Sequence, residues 1–278
     1  MNEITIIPLG TVSPYPKGDK NCPGFLIKYK NNNIMLDCGN GCTRLLNMEE
    51  DLNNLKIFIS HLHPDHYGDL VSLLQTISVY KKYGYIKGNI DIYIPPTKVM
   101  EQEDYVDDDG WGCSRTIETN IIDYKYIERY TEKVGVSFHN YTSYTKIKVD
   151  DINITNTNVP HPIESHAFKL ENKDFKIIYS SDTGTKNNLR EFSRNADLFI
   201  CESTFLKGQY REKDGHLFAY EAAEIAKAAE VKKLLLTHFW PEIDKELYLK
   251  EAKEVFDNTD VAIEGKKLVL RRNYGKDN

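Results

Sequence analysis

The chain lacks every feature that would tie it to a membrane, an oxidising compartment or a polyanion. Its five cysteines, Cys22, Cys38, Cys42, Cys113 and Cys201, are an odd set without a CxxC pair, which speaks against a disulfide framework and a thiolate zinc site. No run approaches the roughly 18 apolar residues of a membrane span, and Met1-Asn2-Glu3-Ile4-Thr5 is not a basic segment leading into an apolar one. A reducing cytoplasm is the expected location. Lys and Arg total 36 against 42 Asp and Glu, a net charge of -6, so no global positive field draws in nucleic acid. A small or locally recognised substrate fits better. Repeats, low-complexity tracts and flexible linkers are absent too, so the 278 residues, 40% of them hydrophobic, are expected to fold as one domain, 1–278.

What is present reads as strands closed by helices. Ile4–Leu9, Phe25–Lys30 and Asn33–Asp37 form a β-hairpin start, with an Asn-rich turn able to take positive φ. Lys56–Ser60 is a short apolar strand, and after it Leu70, Leu73, Leu74, Ile77 and Tyr80 recur at helical spacing. Ile90–Ile94 is a further strand, ended by Pro95-Pro96. From about 98 to 133 the pattern weakens around the acidic stretch Asp107-Asp108-Asp109-Gly110-Trp111, and this segment is expected to be an insertion loop, either solvated or serving as a lid or dimer contact. Strands near Ile152–Thr155, His166–Leu170, Phe175–Tyr179, Asp197–Ile200 and Lys233–Thr237, with a helix over Ala219–Ala229, complete a layered α/β protein with sheets inside and helices outside.

The chemistry is concentrated in His61-Leu62-His63-Pro64-Asp65-His66, which follows the strand ending at Ser60. Neutral imidazole and carboxylate are ligands for zinc and similar divalent ions. On a loop stiffened by Pro64, His61 and His63 can face one position while Asp65 and His66 face a neighbouring one. The loop cannot complete two coordination spheres, so further His or Asp residues are required at later strand ends. His161, Asp182 and His238 stand there, after Asn158-Val159-Pro160, Ile177–Ser181 and Leu234–Thr237.

Taken in order, Leu36-Asp37-Cys38-Gly39, Ser60–Asp69, Val159-Pro160-His161, Ser181-Asp182-Thr183-Gly184 and Leu236-Thr237-His238 resemble the metallo-β-lactamase fold superfamily over nearly the whole chain. The resemblance implies a four-layer αββα sandwich. It also implies two divalent metal ions, zinc first and manganese next, one held by His61, His63 and His161, the other by Asp65, His66 and His238, with Asp182 bridging. Asp37 would orient the histidine loop and not ligate.

Within the superfamily the chain is most similar to the branch containing tRNase Z and small cyclic-nucleotide phosphodiesterases, including the anti-Pycsar proteins. Cys201-Glu202-Ser203-Thr204-Phe205 and Gly215-His216-Leu217-Phe218 resemble two segments of the nuclease, although Phe218 replaces a family Thr. The resemblance gives Glu202 and His216 the role of a proton relay to the leaving oxygen, and gives Asp65 a further role in holding the nucleophile. A phosphodiesterase opening 3′,5′-cyclic nucleotides, such as cyclic CMP and cyclic UMP, is the first expectation, with homodimerisation by analogy to related enzymes. A tRNase Z processing pre-tRNA 3′ ends, and a metal-free binding protein on the same fold, are the alternatives.

Overall fold

The computed structural model describes residues 3–96, 98–106, 112–120, 134–209 and 215–271. In chain order the strands are β1 (Glu3–Gly10), β2 (Gly24–Tyr29), β3 (Asn32–Leu36), β4 (Leu55–Phe58), β5 (Ile90–Ile94), β6 (Lys98–Val106), β7 (Gly112–Asn120), β8 (Val136–Asn140), β9 (Lys146–Val149), β10 (Ile152–Val159), β11 (Ser165–Glu171), β12 (Lys176–Tyr179), β13 (Leu198–Glu202), β14 (Leu234–Thr237), β15 (Thr259–Val261) and β16 (Leu268–Arg271). The helices are α1 (Met48–Asp51), α2 (Pro64–Tyr67), α3 (Leu70–Lys82), α4 (Leu189–Phe192), α5 (Ala219–Ala228) and α6 (Lys245–Lys253).

Two sheets of seven strands result. The first runs β16-β1-β2-β3-β4-β5-β8 and the second β15-β14-β13-β12-β11-β10-β9. β1, β2 and β3 pair antiparallel, as their alternation predicts, and the turn between β2 and β3 takes its positive φ at Lys30 (53°). From β3 onward the first sheet turns parallel, because each return passes through helix or loop. The segment expected to be an insertion loop contains the antiparallel pair β6–β7, in register from Lys98 opposite Asn120 to Val106 opposite Gly112. A run rich in Glu and Asp carries little apolar alternation, so its strand pairing was not visible in the pattern. Residues 107–111, with Trp111, lie outside the described residues.

The period-2 alternation decides which layer each side chain joins. In β3, Met35 faces the helical layer and Leu36 the opposing sheet; in β4, Ile57 and Phe58 divide the same way. Between the sheets, Ile4, Ile6, Phe25 and Phe58 meet Ile152, Phe168, Ile177 and Ile200. Outside the first sheet, α3 buries Leu70, Leu73, Leu74 and Ile77. Outside the second, α5 buries Ala219, Ala222, Ala223 and Ala226, small residues that bring the helix close to the strands. Each fully buried Leu, Ile or Phe contributes about 1.5–3 kcal/mol, and Leu73→Ala would cost about 2–5 kcal/mol. The order of layers is helix, sheet, sheet, helix: the αββα sandwich.

This arrangement gathers one set of strand ends. β4, β12, β13 and β14 stop at Phe58, Tyr179, Glu202 and Thr237, and β10 stops at Val159. The loops that follow carry the polar residues picked out by spacing.

Candidate metal centre

Beyond β4 the chain passes through Ile59 and Ser60 to His61. Asp37, just past β3 in left-handed backbone (φ 59°), fixes this turn by accepting from Ser60 N–H (2.6 Å) and Ser60 Oγ (2.8 Å). Gly39 runs so close beneath that a Cβ there would lie 2.0 Å from the Asp65 carbonyl oxygen, so no side chain fits. The expected loop is part helix. Pro64 opens the single turn α2, where its missing N–H is no loss, and α2 carries Asp65 and His66. Asp69 is engaged elsewhere, accepting from Thr43 N–H and Oγ.

Two groups of ligand atoms face each other across this edge. In the first, His63 Nδ1 lies 3.2 Å from His61 Nε2 and 3.0 Å from His161 Nε2, with Asp182 Oδ2 3.6 Å from His61 Nε2. In the second, His66 Nε2 and His238 Nε2 are 3.3 Å apart, with Asp65 Oδ2 3.6 and 3.7 Å from them. Asp182 Oδ2 belongs to both, because it also lies 3.3 Å from His66 Nε2 and 3.0 Å from His238 Nε2. Either group could hold a metal ion.

The opposite ring nitrogens are anchored: His61 Nδ1 to Ser60 Oγ (3.1 Å), His66 Nδ1 to Asp37 Oδ2 (2.8 Å), His161 Nδ1 to the Gly215 carbonyl (3.0 Å) and His238 Nδ1 to Thr204 Oγ1 (2.8 Å). Such anchors orient imidazoles toward a cation. Ser13 Oγ donates to Asp65 Oδ2 (2.8 Å).

The donor set fits divalent ions. Imidazole lone pairs converge at 3.0–3.3 Å in a buried site, and Asp182 Oδ1 is buried without a hydrogen-bond partner. A carboxylate oxygen left unpaired there is costly unless a cation answers it. Burial keeps His61, His63 and His161 below the usual imidazole range, so their lone pairs are available at neutral pH. Burial also opposes charge on His66 and His238, but the Asp182 and Asp65 carboxylates outweigh it and raise both, His238 to about 10. Asp65 shows the reciprocal effect: burial pushes it up, but His66 and His238 bring it down to about 2. A divalent cation would compensate the same negative charge, displacing protons from His66 and His238.

Beside this centre lies a second device. Glu202, 1% exposed at the end of β13, accepts from Thr183 N–H (3.0 Å), Thr204 N–H (3.2 Å) and Thr204 Oγ (2.8 Å). It also accepts from His216 Nδ1 at 3.0 Å, while the His216 ring stacks on His238 with centroids 5.2 Å apart. Burial opposes charge on His216, yet Glu202 outweighs it and raises its pKa. Asp182, His216 and His238 also form a possible metal triad, but His216 Nδ1 is 3.9 Å from Asp182 Oδ2 and closer to Glu202.

Compared with known proteins, residues 4–247 match the family model of the anti-Pycsar protein Apyc1. The chain belongs to that family. This Apyc1-family chain is 28% identical to a ribonuclease Z of Clostridium acetobutylicum, over 94% of its own length and 96% of the relative's. Among solved structures it is similar to the metallo-beta-lactamase fold protein YhfI from Bacillus subtilis, with a TM-score of 0.78, 22% identity, and coverage of 96% and 99% of the two chains. It is similar too to the short form of human tRNase Z, with a TM-score of 0.69, 21% identity, and coverage of 95% and 98%. The fold is that of the metallo-β-lactamases, and the chain is a metal-dependent phosphodiesterase.

The structure brings together every site residue picked out in the sequence: His61, His63, Asp65, His66, His161, Asp182, Glu202, His216 and His238. Sequence reasoning missed the residues behind them. Ser13, Thr204, Tyr179 and the Gly215 carbonyl hold Asp65, His238, Asp37 and His161 of the Apyc1-family site from positions 34–142 residues away in the chain. Serine, threonine and tyrosine at those separations carry no spacing signal. Among the described residues no helix is long and apolar enough to cross a membrane, and Cys22, Cys38, Cys42 and Cys201 are free and buried.

Proposed function

We propose that the protein hydrolyses 3′,5′-cyclic nucleotides, such as cyclic CMP and cyclic UMP, to nucleoside monophosphates, countering cyclic-nucleotide antiphage signalling. In this reading His61, His63 and His161 hold one divalent ion, Asp65, His66 and His238 hold the other, and Asp182 bridges them, with zinc the first choice and manganese the second. When bound, such ions supply a nucleophile at neutral pH and neutralise charge on phosphoryl oxygens.

The observation that carries the phosphodiesterase chemistry of this reading is the Glu202–His216 pair beside the two groups. Glu202 accepts the Nδ1 hydrogen of His216, which leaves Nε2 to deliver a proton to the departing alkoxide. The Thr183 and Thr204 donors fix the carboxylate, and the His238 stack fixes the imidazole plane. Ser13 steadies Asp65 by donating to Oδ2, and Asp65 would also orient the nucleophile. The family match supports a small cyclic substrate, as does the net charge of -6.

The ribonuclease Z relative, aligned over almost its whole length, favours a second reading as a pre-tRNA 3′ endonuclease. Incubation with cyclic mononucleotides, cyclic dinucleotides and 3′-extended pre-tRNA, each with and without added zinc or manganese, separates the two. Release of nucleoside monophosphate from cyclic CMP or cyclic UMP is the expected result. Cleavage confined to pre-tRNA, weakening steeply with salt, would replace the first reading by the second.

A further inference from the structure

Left-handed backbone is costly for any residue but glycine, yet nine of the described residues that carry a side chain adopt it, with φ between 51° and 65°. Six of them, Lys30 and Tyr144 among them, are exposed. The other three, Asp37, Ser181 and His238, are buried. Asp37 carries the Ser60 turn and His238 is one of the grouped ligand donors, so each uses a side chain that glycine could not supply. Ser181 (φ 55°) immediately precedes Asp182 and is itself no ligand. A buried serine held where glycine would be at ease points to a hydroxyl whose bonds compensate for the strain.

That hydroxyl stands between a ligand of the first sheet and a ligand loop of the second. Ser181 Oγ lies 3.4 Å from His61 Nδ1 and 2.9 Å from Ser165 Oγ, and Ser165 Oγ donates to the Asp182 carbonyl (3.0 Å). Each hydroxyl has one hydrogen, which fixes the directions. Ser165 spends its own on Asp182, so Ser181 donates to Ser165 and turns its lone pairs toward His61. Ser60 Oγ, 3.1 Å from His61 Nδ1, has given its hydrogen to Asp37 and can only accept as well. The His61 Nδ1 hydrogen is therefore shared between Ser60 and Ser181, and Nε2 keeps its lone pair for a cation. Ser165, Ser181 and His61 are wholly buried, so water cannot replace any of these bonds. Ser180 clamps the same turn: its hydroxyl donates to the Ser181 carbonyl (2.7 Å) and accepts Glu202 N–H (2.9 Å).

We infer that Ser181 is a positioning residue whose hydroxyl, together with that of Ser165, ties His61 to the backbone of Asp182 and so holds the two in register for a shared divalent ion. His61 follows β4 of the first sheet, whereas Asp182 follows β12 of the second. His61 Nε2 and Asp182 Oδ2 are 3.6 Å apart. A cation held by both therefore depends on how closely the two loops are fastened to each other, and the His61–Ser181–Ser165–Asp182 chain is such a fastening. The inference rests on the ligand assignment above and not on the identity of the substrate.

The test is a zinc titration of the metal-free full chain in competition with a chromogenic chelator, run on the wild type, Ser181→Gly, Ser165→Ala and the double variant. Ser181→Gly removes the strain along with the hydroxyl, so the metal-free protein should melt close to the wild-type Tm while its zinc affinity falls about 10- to 100-fold. Ser165→Ala should weaken zinc similarly. The double variant should bind scarcely worse than the weaker single variant, because both changes break one chain of bonds. Wild-type zinc affinity in Ser181→Gly, or losses that add in the double variant, would overturn the inference. So would a metal-free Tm of Ser181→Gly that falls in step with its affinity, since the hydroxyl would then hold the fold and not the ligands. A wild type that binds no zinc would bring down the ligand assignment and this inference with it. One that binds zinc but cleaves no cyclic nucleotide would remove only the substrate reading.

Discussion

Nδ1 of His66 lies 2.8 Å from Oδ2 of Asp37, and neither residue reaches solvent. The same carboxylate oxygen accepts the Tyr179 hydroxyl (2.6 Å), while the carboxylate as a whole carries the Ser60 turn. One buried acid therefore sets both the tautomer of a histidine and the path of the loop that bears the others.

Asp37→Asn is expected to weaken metal binding about 10- to 100-fold, the usual effect of losing an orienting partner. Asn tolerates the left-handed backbone at this position, so the fold should survive. Competition against a chromogenic chelator measures the change, and wild-type affinity would show that Asp37 does not act through His66.

Asp182→Ala and His63→Ala are each expected to abolish turnover with the far-ultraviolet circular dichroism unchanged. Asp182 reaches both ligand groups, so its loss should lower bound metal more than the loss of His63. Removing metal from the wild type with a chelator should lower the Tm, because a ligand present at about 100 times its Kd stabilises the native state by about 2.7 kcal/mol. Full activity in either variant would refute the ligand assignment.

His216→Ala is expected to retain metal and to lose about 10²- to 10⁴-fold in rate on a cyclic nucleotide, whose alkoxide needs a proton. The loss should shrink on a p-nitrophenyl phosphodiester, whose leaving group needs none. If metal content falls in this variant, His216 is a ligand and the proposed relay is wrong.

The Lys56–Asp91 pair gives a pH signature away from the centre. Burial raises the Asp91 pKa, but Lys56 and His139 outweigh it and hold it below the usual carboxylate range. A folded-state pKa below the unfolded value of about 3.9 means the stability is present above pH 4 or so and is lost as pH falls through the folded value. Asp91→Asn should therefore cost up to about 1 kcal/mol at neutral pH and almost nothing near pH 2. Denaturant unfolding at the two pH values checks this, and an equal cost at both would show that the charge is not responsible.

Much of the architecture was legible along the chain because burial imposes a period on it. Ile90–Ile94 matched β5 residue for residue, and the apolar stripe of Leu70, Leu73, Leu74 and Ile77 marked α3. β8, β9, β15 and β16 went unread: they are short sheet-edge or near-edge strands in which exposed or half-buried positions dilute the alternation. The helical turn α2 was hidden by its length, since four residues carry no period.

The donor residues of the centre were legible because metal chemistry restricts them to His and Asp, and the strand pattern put each just past a strand end. Chain identity alone therefore determined which side chains could meet a divalent ion. Tertiary structure decided what stands behind and beside them. Ser13 under Asp65 and Thr204 between Glu202 and His238 are common residue types whose role comes from packing two sheets face to face, which brings their loops together at one end. No local physical constraint marks such positions before the chain has folded.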